Sequence, residues 1–346
     1  MADYTHELSI ALLAVRQAAE LCRSVQRKIG SDSISKSDKS PVTIADFASQ
    51  AVILEAIGKA FPADCLVAEE ASEVLQAEPE HLGQVLELVR RFHPQATGDE
   101  LCAWIDRGQG AGATSRYWTL DPIDGTKGFL RKEQYAIALA LYDEGRLVLG
   151  VLGCPNLPAD PAQPLINPTE TSTDMPTGHA AGGLFYAVRG AGAFVASLDG
   201  RSLPRPIQVS TATEVANYRM CESAEAAHSR HDASASIATS LGVSGQPVRM
   251  DSQAKYACVA SGRAEVYLRL PTKPGYVECI WDHAAGVMVI EEAGGTVTDI
   301  HGQPLDFSQG RHLTANQGVV ATNGPHHDRI LAAVAAQRQQ DVAGQQ

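Results

Sequence analysis

Aromatic residues are scarce in this 346-residue chain, at 5% of the total. So thin a supply offers no stacking platform for single-stranded nucleic acid. Basic residues are in the minority as well, 28 Lys and Arg against 40 Asp and Glu, and the resulting net charge of −12 excludes a broad polyanion-binding surface. A small anion met through bound cations stays open, because cations reverse the local sign of an acidic site. The seven cysteines, Cys22, Cys65, Cys102, Cys154, Cys221, Cys258 and Cys279, never form a C-x-x-C pair. Their odd number and scatter predict free thiols in a reducing compartment. No apolar run approaches the length needed to span a bilayer, and no basic segment leads into an apolar core at the N-terminus. A cytoplasmic protein with no membrane partner, no nucleic-acid partner and no signal or transit peptide is expected.

What the chain does have is apolar bulk, 44% of its residues, together with 30 glycines. That content suits closely packed helices and sheets, and the length exceeds one ordinary core. Glu7 to Ile29 carries Leu8, Leu12, Val15, Ala19 and Cys22 at helical spacing. A polar stretch, Ser31 to Ser40, reads as a loop whose Lys36 and Lys39 are either solvated or turned to a phosphate. A second helix follows Pro41, with Thr43 and Asp46 spaced as a capping box. Cys65 to Ala68 reads as a short strand running into Glu69-Glu70. Residues 72 to 93 repeat Leu75, Leu82, Leu86 and Val89 at helical spacing, and 109 to 115 is a small-residue loop.

Tyr135 to Tyr142 and Arg146 to Gly153, parted by Asp143-Glu144-Gly145, give a hairpin signal. Residues 155 to 182 read as an inserted loop, and strands resume at Leu184 around the tight turn Arg189-Gly190-Ala191-Gly192. Beyond residues 211 to 216 strands and helices alternate: strand 217 to 222, helix 232 to 241, strand 247 to 251, helix 253 to 261 and strand 264 to 270. The expected fold is α/β, with an α+β lobe over 1–213, an α/β lobe over 214–338 and a disordered tail at 339–346.

The chemistry gathers around Asp121-Pro122-Ile123-Asp124-Gly125-Thr126. Two carboxylates three residues apart, on a strand-to-helix turn that Pro122 stiffens and Gly125 frees, can face one point in space. With the stranded carbonyl of Ile123 they make an oxygen donor set suited to hard cations such as Mg2+. Taken alone, the stretch reads first as a type I turn with an Asp cap, and that reading gives way only because further acidic sites need the same explanation. Asp46 reads as a cap or a ligand, Glu69 as solvated or a ligand, and Asp282 as an N-cap or a ligand. Lys255, in a first helical turn, opposes the helix dipole unless an anion lies near. His283 lacks a partner at ligand spacing and reads as structural. If Asp46, Glu69, Asp121, Asp124 and Asp282 meet, their repulsion requires two or three Mg2+ ions among them. Such a centre performs in-line hydrolysis of a phosphate monoester.

The ordered set Pro41 to Asp46, Glu69-Glu70, Asp121 to Thr126 and Trp281-Asp282-His283-Ala284-Ala285-Gly286 resembles the Mg2+-dependent, lithium-sensitive inositol monophosphatase superfamily. The likeness extends from the first helix to about residue 330. It implies the layered αβαβα sandwich shared with fructose-1,6-bisphosphatases. Asp124-Gly125-Thr126-Lys127-Gly128-Phe129, Met250 to Tyr256 and Tyr267 to Pro271 resemble its 3'(2'),5'-bisphosphate nucleotidase branch. The resemblance implies a first metal held by Glu69, Asp121 and the Ile123 carbonyl, and a second held by Asp121, Asp124 and Asp282. Asp46 with Thr126 would deprotonate the attacking water. Thr126, His228, Ser252, Lys255, Arg269 and Asp282 would grip the substrate. The chain departs from the family pattern at Ala227, where a glycine usually precedes the histidine.

The expected reaction is removal of the 3'-phosphate of adenosine 3',5'-bisphosphate (PAP) to give AMP and phosphate, and also hydrolysis of the sulfated relative PAPS, by a monomer. An inositol phosphate phosphatase is the alternative among enzymes. A non-catalytic nucleotide sensor is the alternative outside them.

Overall fold

The computed structural model describes residues 3–29, 40–163, 182–225, 230–273 and 275–343. The expected loop at 31–40, apart from Ser40, which is helical, and most of that at 155–182 lie outside them, as do Ala227 and His228. Two helices open the chain, α1 (Thr5–Lys28) and α2 (Ser40–Ala60). The stripe that α1 buries runs through Ala11, Val15, Ala18 and Cys22, while Leu8 and Leu12 stay half-buried at its edge. Small residues on that face let the two helices approach closely.

β1 (Cys65–Ala68) begins the larger sheet, in the order β1-β2-β3-β4-β5-β6-β7. Its other strands are β2 (Arg116–Asp124), β3 (Ala136–Asp143), β4 (Arg146–Pro158), β5 (Gly182–Val188), β6 (Gly192–Ser197) and β7 (Arg205–Ile207). Only the β1–β2 pair is parallel. β3 and β4 are buried on both faces, which explains runs that are apolar throughout and do not alternate. β4 continues through Pro158, with Leu157 fully buried, so the expected insertion begins later than residue 155.

Between β1 and β2 the expected helix over 72–93 is two, α3 (Glu73–Gln76) and α4 (Pro79–Val89). Pro79 lacks an N–H to continue α3 and suits the first turn of α4. Then comes α5 (Gly98–Asp106), opened by a complete capping box between Thr97 and Glu100 that the sequence reading passed over. A short helix α6 (Thr126–Leu130) follows β2.

The second sheet takes β8 (Met220–Glu222), β9 (Val248–Arg249), β10 (Val266–Arg269), β11 (Thr296–Thr298) and β12 (Val319–Thr322), in the order β11-β12-β10-β8-β9. Its helices are α7 (His231–Leu241), α8 (Ala254–Ala260), α9 (Ala284–Glu292) and α10 (His327–Ala343). The tail expected to be disordered from 339 is helical as far as Ala343, and Asp341 accepts from Arg230 at 2.5 Å.

α1 and α2 cover one face of the larger sheet, α8 and α9 lie between the sheets, and α7 and α10 cover the far face of the smaller one. The result is an αβαβα sandwich. The main core fills the space around α8 and α9, where Tyr256, Tyr267, Val287 and Met288 pack against Tyr117, Leu152 and Phe185. Each such side chain contributes about 1.5–3 kcal/mol on burial. Gly286 is required there, because a Cβ would sit 2.3 Å from the Tyr256 ring. Among the described residues no helix is long and apolar enough to cross a membrane.

Candidate active site

Parallel pairing of β1 with β2 sets Ala68 beside Leu120, so the carboxyl ends of both strands bring Glu69 and Asp121 side by side. Between Asp121 and Asp124 the register against β3 shifts, which releases Pro122 and Ile123 from the ladder. Ser49 bonds the Pro122 carbonyl at 2.9 Å, and Ile123 lines the pocket beyond. Gly125 adopts φ +90 in the left-handed region. A Cβ there would meet the Ser252 Cβ at 3.0 Å, so glycine admits the segment from Asp251 to Lys255 against the turn.

Asp282 ends a 3-10 turn, Ile280–Asp282, and α9 starts only after His283. It therefore does not cap that helix. Asp46 likewise lies inside α2, which begins at Ser40, so the capping reading fails there too. Glu69, Asp121, Ile123, Asp124, Thr126, Ser252, Lys255, Arg269 and Asp282 share one cavity of about 230 Å³. Asp46 is buried beside it, close enough to Glu70, Glu69 and Asp121 for its charge to be felt by them. A larger hollow of about 880 Å³, beside α10, has Asp341 as its one lining carboxylate.

Burial is the first force on these acids and mutual repulsion the second. Burial, then Asp282, Glu70 and Asp124, pushes Glu69 up to about 8. Asp282 rises to about 6, chiefly through burial, with Arg269 and His283 opposing. Asp121 is driven well above the ordinary carboxylate range by burial and by Glu69, Asp124, Asp282 and Asp46. Burial raises Asp124 less far, against Lys255, Arg269 and the Gln253 N–H that donates to its Oδ2 at 2.6 Å.

One carboxylate oxygen of Asp46 and one of Asp121 are buried with no hydrogen-bond partner among the described residues. Orphaned, oxygen-only donors at and beside a small acidic cavity are what a divalent cation satisfies, so these residues fit a hard metal ion. A second grouping, Glu278, Asp282 and His283, does not. Arg269 already clamps Glu278 at 2.9 and 2.7 Å, and the His283 ring is held by the Tyr256 hydroxyl at 2.7 Å. His283 is fully buried and structural, as its lone position in sequence suggested.

The cationic side of the cavity differs from expectation. Arg269 spends its charge on Glu278 and lies 3.7 Å from Asp282. Lys255 is 2% exposed, donates to the Met250 carbonyl at 3.2 Å and stands 5.2 Å over the Tyr267 ring. Burial lowers its pKa, with Asp124 and Asp251 opposing. Ser252 is held at φ +73, unusual for a residue with a side chain. His228 lies outside the described residues.

Sequence reading missed Ser223, Glu225, Asp251 and Tyr276, all of which line the cavity. Glu225 joins Lys127 at 2.8 Å and Arg131 at 2.6 Å, and Arg131 reaches Asp251 at 2.6 Å. Asp251 stood next to the singled-out Ser252, and that adjacency was the available signal.

The sequence matches the profile of the inositol monophosphatase family over residues 3–340. It is 43% identical to a 3'(2'),5'-bisphosphate nucleotidase of Emericella nidulans, covering 96% of this chain and 98% of the relative. The chain belongs to the inositol monophosphatase family. A nucleotidase of the same name from Oryza sativa is 45% identical, over 96% of this chain and 94% of the other. One from Schizosaccharomyces pombe is 41% identical over 98% of each. Among solved structures, an inositol monophosphatase from Anabaena (Nostoc) superimposes with a TM-score of 0.60 at 23% identity, over 97% of both chains. An inositol monophosphatase of Thermotoga maritima gives 0.60 at 18%, over 97% of this chain and 99% of the other. These likenesses carry the family's layered fold.

Proposed function

We propose that this member of the inositol monophosphatase family is a Mg2+-dependent 3'(2'),5'-bisphosphate nucleotidase. It removes the 3'-phosphate of PAP to leave AMP and phosphate, and acts likewise on PAPS. The observation that carries the reading is one cavity lined by Glu69, Asp121, Asp124 and Asp282 beside the buried cation Lys255, its two other carboxylates, Glu225 and Asp251, being paired with Lys127 and Arg131. The nucleotidases at 41–45% identity over most of their length favour the nucleotide over an inositol phosphate.

In this reading Glu69, Asp121 and the Ile123 carbonyl hold one ion, and Asp121, Asp124 and Asp282 a second, with Asp46 near a third. Bound magnesium would neutralise phosphate oxygens and acidify a water. Asp46, acting with Thr126, takes the proton of the water whose oxygen attacks phosphorus. The P–O3' bond breaks as the new P–O bond forms, and the departing oxygen takes up a proton. α2, which carries Asp46, packs against α6, which Thr126 opens, and this supports their acting together. Ser252, Lys255, Arg269 and His228 orient the nucleotide. Lys255 carries most of the burden of a second phosphate, since Glu278 already neutralises Arg269. The lobe division at 213/214, a monomeric state, sensitivity to lithium and a cytoplasmic location belong to the same proposal.

Phosphate release from PAP, PAPS and inositol 1-phosphate, each at saturating Mg2+, tests it. The expected order puts PAP first. Preference for inositol 1-phosphate overturns the substrate, and no release from any of the three overturns the enzyme.

A further inference from the structure

Arg311 lies outside the cavity and none of the motifs includes it. Its guanidinium donates to three backbone carbonyls: Ala68 at 2.7 Å, Gly108 at 3.1 Å and Gly110 at 3.2 Å. Its flat face stacks on the Trp281 ring, 4.7 Å from the centroid. Among the described residues it forms no ion pair, although the chain carries an excess of acids. The partners explain that choice. Ala68 immediately precedes Glu69, and Trp281 immediately precedes Asp282.

The segment around Arg311 is itself pinned to the strand of chain that leads into Asp282. Ile280 donates to the Arg311 carbonyl at 3.1 Å, and Leu313 to that of Glu278 at 2.9 Å. The tie extends further, since the Trp281 carbonyl accepts from the Gln253 side chain at 2.8 Å and the Gln253 N–H holds Asp124. Glu69 and Asp282, when both are ionised with no cation between them, repel each other and press their two supporting segments apart. A planar fork that grips the end of β1 and the 108–110 loop bonded to it by their carbonyls, and the other segment by an aromatic face, opposes that separation. Lysine, a point charge on a flexible stem, lacks the rigid flat fork that holds several carbonyls and the ring in one fixed geometry.

We infer that Arg311 is a positioning residue that sets the spacing of Glu69 and Asp282, and so the affinity of the acidic cavity for a divalent cation. This rests on the metal-site reading above. The test is calorimetric titration of Mg2+ into the metal-free full-length chain, alongside melting temperatures in EDTA. Arg311→Lys is expected to bind Mg2+ about tenfold more weakly, the scale on which residues supporting metal ligands act. Trp281→Leu, which keeps the carbonyl bonds and removes the stack, should weaken binding in the same direction by less. Arg189→Lys is the control. Arg189 also ties two elements, through the Leu147 carbonyl at 3.0 Å and Glu291 at 2.8 Å, but away from the acids, and its loss should leave Mg2+ affinity unchanged. Unaltered affinity in folded Arg311→Lys and Trp281→Leu overturns the inference, whatever their melting temperatures. Equal weakening in Arg189→Lys overturns it too. A parent chain that takes up no Mg2+ sinks the metal-site reading itself, a separate result.

Discussion

The two ends of β2 pose one electrostatic problem and solve it differently. At its first residue, Arg116 gathers Glu7 at 2.9 Å, Asp64 at 2.9 Å and Asp143 at 2.8 Å, three acids from distant parts of the chain. Trp118 and Tyr4 donate to two of the same carboxylates, and the knot is closed. At its last residues, Asp121 and Asp124 meet Glu69 and Asp282, and of the cations lining the cavity Arg269 is already engaged by Glu278, Lys127 by Glu225, and Lys255 is buried. Oxygens are left without partners there. An acidic cluster completed by its own arginine is architecture. One left open at the mouth of a cavity is a receptor for a cation.

The largest effect should follow from breaking the open cluster. Asp124→Asn should lower phosphate release by more than the roughly 100-fold expected on losing a supporting hydrogen bond. The metal-free protein should melt no lower than its parent, because one buried charge is gone. Retained turnover would show that the open end of β2 is not the reaction centre.

Breaking the closed cluster should do the reverse. Arg116→Met strands three acids, and stability to urea should fall by about 3 kcal/mol, the low end for a severed buried pair because the guanidinium keeps some solvent contact. The Michaelis constant measured at low temperature should hold steady. Gly286→Ala, which forces a methyl into Tyr256 behind Asp282, should cost about 1–3 kcal/mol in the same assay.

The smallest effect is also the sharpest contrast. Glu69 and Asp282, raised to about 8 and about 6 in the folded chain from ordinary values of 4.5 and 3.8, bind protons more tightly folded than unfolded. Their contribution to stability is therefore complete below pH 4 and is lost as pH rises to 8. Metal-free protein should melt a few degrees higher at pH 5.5 than at pH 8, and saturating Mg2+ should abolish the difference. A melting temperature that climbs with pH in EDTA would contradict the crowding of these acids.

Much of the architecture was readable because it is local. The strand at 65–68, the hairpin around Asp143-Glu144-Gly145 and the helix at 232–241 each announce themselves by apolar runs and by turn residues at their ends. Capping was read less well. Thr43 and Asp46 carry the spacing of a box but sit inside α2, whereas Thr97 and Glu100 form a real one. Spacing alone does not reveal where the backbone ladder starts. Glu225 and Arg311 were silent for another reason, and Asp251 was marked only by its adjacency to Ser252: each owes its part to a neighbour remote in the chain, Lys127, Ala68 and Arg131 in turn.

By itself, the amino-acid order determined the membership of the family, the alternation of elements and the short turns that present a carboxylate, since these depend on residues within a few positions of one another. Only the tertiary structure decided that Arg269 is spent on Glu278 while Lys255 stays buried beside the acids, and that one cluster of carboxylates closes on an arginine while the other stays open. Charge balance in a buried site depends on which distant groups come within a few ångströms, and the order of residues along the chain does not encode that distance.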